Sequence, residues 1–349
     1  MAITLVGCSE RIQPSPSVTP TPSTPVASAS PISEPSRSDG APSGAPLVTD
    51  GSTPVSIAFW DGQSGLIGGR GPGGQPGIAR TSDGGRTLIW VDVDSDVPGE
   101  LNVFASSDAI YLSGCTDEPA VDCAPNLERT ADGGVTWTTV GSGAQLAGLR
   151  RVSFPGRIGW GVAILPPGDD PNPNAAVLRR TLDGGRTWST VPDPCPASWP
   201  TLEDVRFVDA QNGWLVCDAP GAGTMAPTAI YVTSDGGTTF AVRSTSDFGG
   251  KLNLGRPPSG PVTSIEAADP TTAFVMQGRS GTARTDDGGV TWASGPPGNP
   301  EIVFVDTMSA TADGTVLALA QDGEAQRLIL ESSADRGLTW EQRAAWPRS

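Results

Sequence analysis

The sequence predicts an all-β fold, a six-bladed β-propeller of four-stranded antiparallel blades, and three observations predict it. One motif occurs six times, its copies recur at a spacing of about 50 residues, and each interval holds short strand-like runs separated by turn residues. The motif is clearest as "RTLDGGRTWSTV" from Arg180, and it returns as "RTADGGVTWTTV" from Arg129 and "RTDDGGVTWASG" from Arg284. Looser copies are "RTSDGGRTLIWV" from Arg80, "VTSDGGTTFAVR" from Val232 and "SSADRGLTWEQR" from Ser332. The motif aspartates are Asp83, Asp132, Asp183, Asp235, Asp287 and Asp335. A unit of this size cannot bury its apolar face alone, so the units must stack, and closing the stack into a ring removes most strand edges.

The third unit shows how each blade is built. "LRRVSFPG" from Leu149 alternates in character, "IGWGVAI" from Ile158 reads as a buried strand, "AAVLRRT" from Ala175 leads into the motif, and "TWSTV" from Thr187 follows it. The fourth unit repeats the plan as "LEDVRFVD", "GWLVC", "AIYVT" and "TTFAV". No segment reads as a helix of useful length. The chain offers no spare strand after the last unit, so the ring closes either by simple packing of blade on blade or with help from "APLVTD", residues 45–50.

Ahead of the repeats, residues 1–8 end in Leu5-Val6-Gly7-Cys8, which resembles the lipobox of bacterial lipoproteins and implies lipidation of Cys8. The residues before Cys8 are too few for a signal peptide, so a longer leader is expected upstream. Residues 9–46 form a Ser/Thr/Pro-rich tract too poor in apolar groups to repay its ordering entropy, an expected disordered spacer. The propeller is assigned to residues 47–349. A lipid-linked Cys8 would make this an extracytoplasmic lipoprotein of the cell surface or envelope, touching the membrane only through its anchor.

Composition narrows the chemistry. The net charge of −16 repels phosphate backbones and anionic lipid, which excludes nucleic acid as a partner. There is no histidine, so His-based triads and His metal ligands are impossible, and catalysis would fall to carboxylates, Tyr, Ser or Arg. No cofactor and no metal are expected, and the chain is expected to be a monomer.

The motif resembles the Asp-box, or BNR repeat, of sialidases, sortilin-type receptors, some xyloglucanases and the photosystem II assembly factor family. The combination of "VRFVDAQNGWLVC" with "TLDGGRTWSTV" is most similar to the last of these. The resemblance implies that the motifs lie on the outer rim, on the face opposite the ligand-binding mouth. Within the motif, Asp183 is suited to accept hydrogen bonds from the N–H groups of its own turn, the two glycines permit positive φ, and Trp188 supplies an apolar cover. Six copies around a ring cannot converge on one centre, so the six aspartates and Trp137, Trp188, Trp292 and Trp340 are assigned a structural role. Leu88 and Phe240 replace the tryptophan in two copies, whose hairpins should be less well covered.

Sialidase activity fits poorly. The only tyrosines are Tyr111 and Tyr231, neither in the last two units where the resembled enzymes carry their nucleophile, and Arg80, Arg129, Arg180 and Arg284 belong to the repeat. A glycoside hydrolase using two carboxylates is easier to accommodate, because Asp169, Asp170, Asp193, Glu203 and Asp218 fall in or beside loops of the expected mouth. "VDVDSDVPGE" places Asp92, Asp94 and Asp96 at calcium-loop spacing but has Val97 where the glycine belongs, so an edge strand with its acids outward is preferred. "GRGPGG", residues 69–74, matches a dinucleotide fingerprint only in letters, with Pro72 inside it and no helix after it.

Four cysteines remain, and an exported protein should pair them. Cys115 and Cys217 end second strands, Cys123 follows in a loop, and Cys195 lies between the third and fourth blades. The pairs Cys115–Cys123 and Cys195–Cys217 are expected, each pinning a loop at the mouth. The expected function is binding of a protein or glycan ligand without chemistry, with the carboxylate-pair glycosidase as the alternative.

Overall fold

The computed structural model describes residues 46–93, 98–114, 125–165, 175–192, 194–195, 200–219, 227–246, 262–277, 281–294, 302–323 and 326–347. Six four-stranded antiparallel sheets follow one another along the chain, as the repeat implies. The first blade is β1 (Thr53–Phe59), β2 (Gly65–Arg70), β3 (Pro76–Thr81) and β4 (Ile89–Asp92). The second is β5 (Glu100–Val103), β6 (Ala109–Leu112), β7 (Leu127–Thr130) and β8 (Thr138–Gly141), and the third β9 (Leu149–Ser153), β10 (Gly159–Ile164), β11 (Ala176–Thr181) and β12 (Ser189–Thr190). The fourth is β13 (Thr201–Phe207), β14 (Gly213–Asp218), β15 (Thr228–Thr233) and β16 (Ala241–Thr245), and the fifth β17 (Val262–Ala267), β18 (Ala273–Gln277), β19 (Gly281–Thr285) and β20 (Ala293–Ser294). The sixth is β21 (Ile302–Ala310), β22 (Val316–Asp322), β23 (Arg327–Ser333) and β24 (Glu341–Pro347). Among the described residues the helical content is a short 3-10 turn at Gly143–Leu146.

The core is divided into six apolar layers, one in each seam between neighbouring blades. Ile57 and Phe59 of the first blade pack on Leu317, Leu319 and Trp346 of the sixth. Val205 and Phe207 of the fourth pack on Trp160 and Leu178 of the third, where the Trp160 and Phe207 rings stack at 3.5 Å. This division follows from the period of two on each innermost strand. In "SIAF", "ELNV", "RVSF", "DVRF", "SIEA" and "TMSA", the second and fourth residues enter the seam with the preceding blade. The first and third are directed toward the next blade around the axis, where most of them are polar.

Those polar residues stitch the ring together. The Asn102 Oδ1 accepts the N–H of Phe154, the Ser153 Oγ that of Phe207, Asp204 Oδ2 that of Ile265, Glu266 Oε1 that of Ala310, and Ser309 Oγ that of Phe59. Between the first and second blades the Ser56 hydroxyl instead donates to the Gly99 carbonyl at 2.8 Å. Every junction therefore carries a hydrogen bond to a main-chain group of the next inner strand, in a place where an unpaired N–H would be costly.

The ring closes by both of the routes that the sequence allows. The apolar seam between the sixth and first blades is one. The other is the segment before β1, which adds to the outer edge of β24: Leu47 bridges Ala345 in parallel, Val48 N–H donates to Ala345 O at 2.7 Å, and Ala345 N–H donates to Pro46 O at 3.1 Å.

Candidate functional site: an axial well

Antiparallel pairing puts the motif hairpins on the same face as the turns between first and second strands. In each blade one main-chain bond ties the two together, as in Gly184 N–H to Arg157 O and Gly236 N–H to Gln211 O. Within the hairpin, the hydroxyl of Thr81, Thr130, Thr181, Thr233, Thr285 or Ser333 donates to Oδ1 of the motif aspartate at 2.7–2.9 Å. The same hydroxyl accepts the N–H of the second motif glycine. Oδ1 also accepts the N–H of the motif threonine four residues on, at 2.8–2.9 Å. These donors hold Asp132, Asp183 and Asp235 down to a pKa of about 2, chiefly through the side chain of Thr136 and the N–H groups of Thr187 and Thr239.

The motif tryptophans do more than cover their own hairpins. Trp188 packs in the seam with the preceding blade, edge-on to Phe154, while its Nε1 donates to Gly185 O at 3.0 Å. Trp137, Trp292 and Trp340 occupy the equivalent seams, and so do Leu88 and Phe240, each half-buried. Gly185 shows why the motif needs its second glycine. It has φ +94°, and a Cβ there would lie 2.3 Å from Leu127 of the preceding blade. In the sixth copy Arg336 stands at the first glycine position with φ 61°.

On the opposite face, all six innermost strands converge on a well of about 420 Å³. Its upper tier is Ser56, Glu100, Arg151, Asp204, Ser264 and Thr307, one residue from each blade, with Asp306 and Arg150 nearer the lip. The lower tier includes Arg206 and Glu266, paired at 2.7 Å. Arg206 also lines a second, more apolar chamber of about 330 Å³ that opens on the motif face beside Trp60, Phe104, Phe154 and Pro155.

The charges in the well are largely committed to one another. Arg150 donates to Leu202 O and pairs with Glu203 at 3.3 Å. Burial works against the charge of Arg151, but the carboxylates of Glu100, Asp204 and Glu203 outweigh it and hold the guanidinium above its usual range. Burial pushes Glu100 up to about 8, against the opposing pull of Arg151, and pushes Glu266 up to about 7, against Arg206. The Oε2 of Glu100 has no hydrogen-bond partner among the described residues.

Little of this well is legible in the sequence. Of the carboxylates expected at the mouth, Asp169, Asp170 and Asp193 lie outside the described residues. Glu203 is held at the lip by Arg150. Asp218, at the end of β14, is only 5% exposed, and its Oδ1 accepts the Thr228 hydroxyl at 2.7 Å. Burial, with a contribution from the nearby Glu203, pushes Asp218 up to about 7. Glu100, Asp204, Glu266 and Asp306 were missed, although the six in-register alternating tetrads carried the signal.

Cys195 and Cys217 form a disulfide, while Cys115, Cys123 and Cys8 lie outside the described residues. Asp92 sits on the outermost strand of its blade, and Asp94 and Asp96 lie outside the described residues. Residues 69–74 form the end of β2 and the turn after it. Tyr111 is buried, its hydroxyl accepting the N–H of Gly99 at 2.9 Å. Among the described residues no group of three or more His, Cys, Asp or Glu is placed to hold a metal ion, and no helix is long and apolar enough to cross a membrane.

No protein-family model matches this sequence, and no curated protein matches it. Solved structures do resemble it. An alpha-L-arabinofuranosidase from Fusarium graminearum, in complex with an iminosugar inhibitor, is 12% identical with a TM-score of 0.50, over 77% of this chain and 88% of that one. YCF48 bound to a D1 peptide is 17% identical with a TM-score of 0.46, over 83% of this chain and 82% of that one. A Hadza microbial sialidase is 16% identical with a TM-score of 0.48, over 76% of this chain and 65% of that one. At such identities the likeness is one of fold.

Proposed function

We propose that this chain is an exported propeller, lipid-anchored at Cys8, that binds a protein or glycan ligand in its axial well without catalysing a reaction. The observation that carries the reading is the well itself. Six strands supply its walls, and Arg150, Asp204, Arg206 and Glu266 are each bound to an opposite charge or to the main chain of the next blade. That arrangement builds a rigid polar cavity, which lowers the ordering cost of binding. It leaves little for acid–base chemistry, where two carboxyl groups must face a bond from either side. The structural resemblances agree with the reading at the level of the fold, since one neighbour holds a peptide and another an iminosugar.

The repeated motif aspartates and their tryptophans belong, in this proposal, to the scaffold. Export is supported by the lipobox-like Leu5–Cys8, by the Pro-rich tract after it, and by a disulfide, a bond that persists in oxidising compartments. One observation favours the alternative. Glu203 helps to raise Asp218, which places a neutral acid near a carboxylate. Against it, Asp218 is nearly inaccessible and already bonded to Thr228.

The test pairs selection with turnover. Peptide-display libraries and a glycan array are screened against the propeller and against Ser264→Trp, which fills the well. Ligands lost on that substitution are expected. Hydrolysis of aryl glycosides or polysaccharides, abolished by Asp218→Asn or Glu203→Gln, would replace the binding reading with the enzymatic one.

A further inference from the structure

The chamber on the motif face is not built evenly around the axis. The last residue of each innermost tetrad and the one after it are Phe59 and Trp60 in the first blade, Val103 and Phe104 in the second, Phe154 and Pro155 in the third, and Phe207 and Val208 in the fourth. In the fifth blade they are Ala267 and Ala268, and in the sixth Ala310 and Thr311, followed by Ala312. Bulky side chains therefore wall one side of this cavity of about 330 Å³, and alanines make a low sill on the fifth and sixth blades. Trp60, Phe104 and Pro155 are half-buried, so an apolar hollow is left open at the axis.

The chain enters the domain from that same face. β24 runs away from the motif hairpin before it, and Leu47 bridges Ala345 of β24 in parallel. Followed backwards from Val48 to Pro46, the chain thus points to the motif face. From Ala345 to the start of β24 at Glu341 is about 13 Å, and from the outer edge of the sixth blade to the axis about 25 Å, four strand spacings and the half-width of the chamber. Residues 32–45 span about 43 Å as a polyproline II helix, enough for that path.

We propose that this segment, "ISEPSRSDGAPSGA", folds back over the sixth blade and seats Ile32–Pro35 in the chamber against Trp60, Phe104 and Pro155. The inference goes beyond the binding reading and makes no use of the axial well. Ile32 is the one large apolar side chain of the segment, and Pro35 brings a ring on a backbone that is already restricted, so little ordering entropy opposes docking on aromatic walls. Tethering helps further. An attached segment meets its site at an effective concentration on the order of millimolar, so contacts too weak to hold a free peptide suffice. The approach crosses the alanine sill, which is the open side of the chamber. With Cys8 anchored, that docking directs the axial well away from the membrane.

Limited trypsinolysis of the intact chain reads the docking, because Arg37 lies inside the segment and Arg11 ahead of it. Cleavage tracks the fraction of time that a site is free. The bond after Arg37 is therefore expected to be cut at least about tenfold more slowly than in a synthetic peptide of residues 9–45, with the bond after Arg11 within about twofold of the peptide. Ile32→Ser, compared with a peptide carrying the same change, should remove the protection without touching the propeller. Ala312→Glu, which puts a charge on the exposed sill, should do the same. Equal rates in chain and peptide, or protection that survives both substitutions, would overturn the proposal. So would protection lost on about tenfold dilution, since a tethered segment is insensitive to concentration and the chamber would then belong to a second copy. Ligands lost with Ser264→Trp should be retained by Ile32→Ser, so either reading can fail without the other.

Discussion

The Oγ of Ser309 accepts the main-chain N–H of Phe59 at 2.8 Å, across the junction where the sixth blade meets the first. Ser153 and Phe207 repeat that bond between the third and fourth blades at 2.7 Å. Both hydroxyls are buried, so removing either leaves an N–H with no water to turn to. Ser309→Ala is expected to lower stability by about 1–3 kcal/mol. Ser153→Ala should do the same, and the double substitution should be additive because the junctions are separate. Urea denaturation with both single variants and the double variant measures this. A neutral Ser309→Ala would mean that closure rests on the apolar seam and the Pro46–Val48 segment.

Trp188 bridges its own hairpin and the seam behind it, and Trp188→Ala is expected to cost about 3 kcal/mol, the lower end for a buried aromatic, because the ring is only half-covered. Ligand binding at the opposite face should be unchanged in the folded fraction. Thermal unfolding and a binding titration on the same variant separate the effects. Lost binding with intact stability would remove the motif from the scaffold and place it in a site.

Arg336 holds a left-handed conformation that its five counterparts hold with glycine. Relief of that conformation is worth about 1 kcal/mol, set against an exposed ion pair with Asp269 at 3.4 Å. Arg336→Gly is therefore expected to raise the melting temperature slightly, and calorimetry of the single variant decides it. A lower melting temperature would show that the ion pair outweighs the backbone.

Stability should be greatest in mild acid. Glu100, raised to about 8, and Glu266, Asp218 and Glu331, each raised to about 7 mainly by burial, bind protons more tightly folded than unfolded. Their contribution is complete below the unfolded carboxyl range and is lost as pH rises through 7 and 8. Asp132, Asp183 and Asp235 run the other way: held down to about 2, they contribute above the unfolded range and fail as pH falls below it. Denaturation midpoints from pH 4 to 9 should peak near pH 5, and Glu100→Gln should flatten the alkaline side. A midpoint that climbs steadily to pH 8 would contradict the buried protonated carboxyls.

The Cys195–Cys217 bond spans 22 residues and joins the link before the fourth blade to its second strand, inside the seam with the third. By loop closure alone, replacing both cysteines with serine should cost about 3 kcal/mol. Peptide mapping of protein from its native host should find the bond intact. Free thiols there would argue against an exported location.

The sequence determined the repeat, and with it the number of blades, because a period of about 50 residues with four strand-like runs permits few other closed arrangements. It also exposed the logic of the motif, since Asp183, its glycines and its threonine neighbours bond within a few residues of one another. Local chemistry is legible along a chain. Where that chemistry leads depends on the assembled ring. Trp188 enters a seam with a blade it does not belong to, and Leu47 bridges Ala345 from the far end of the domain. Glu100, Arg151 and Asp204 come from three units and meet only when the ring closes. In each unit alone they are ordinary polar residues of an alternating strand, and nothing local distinguishes a side chain that points to solvent from one that points to the axis. Their burial, their shifted protonation and the well between them are properties of the closed ring, set by six strands converging on one line.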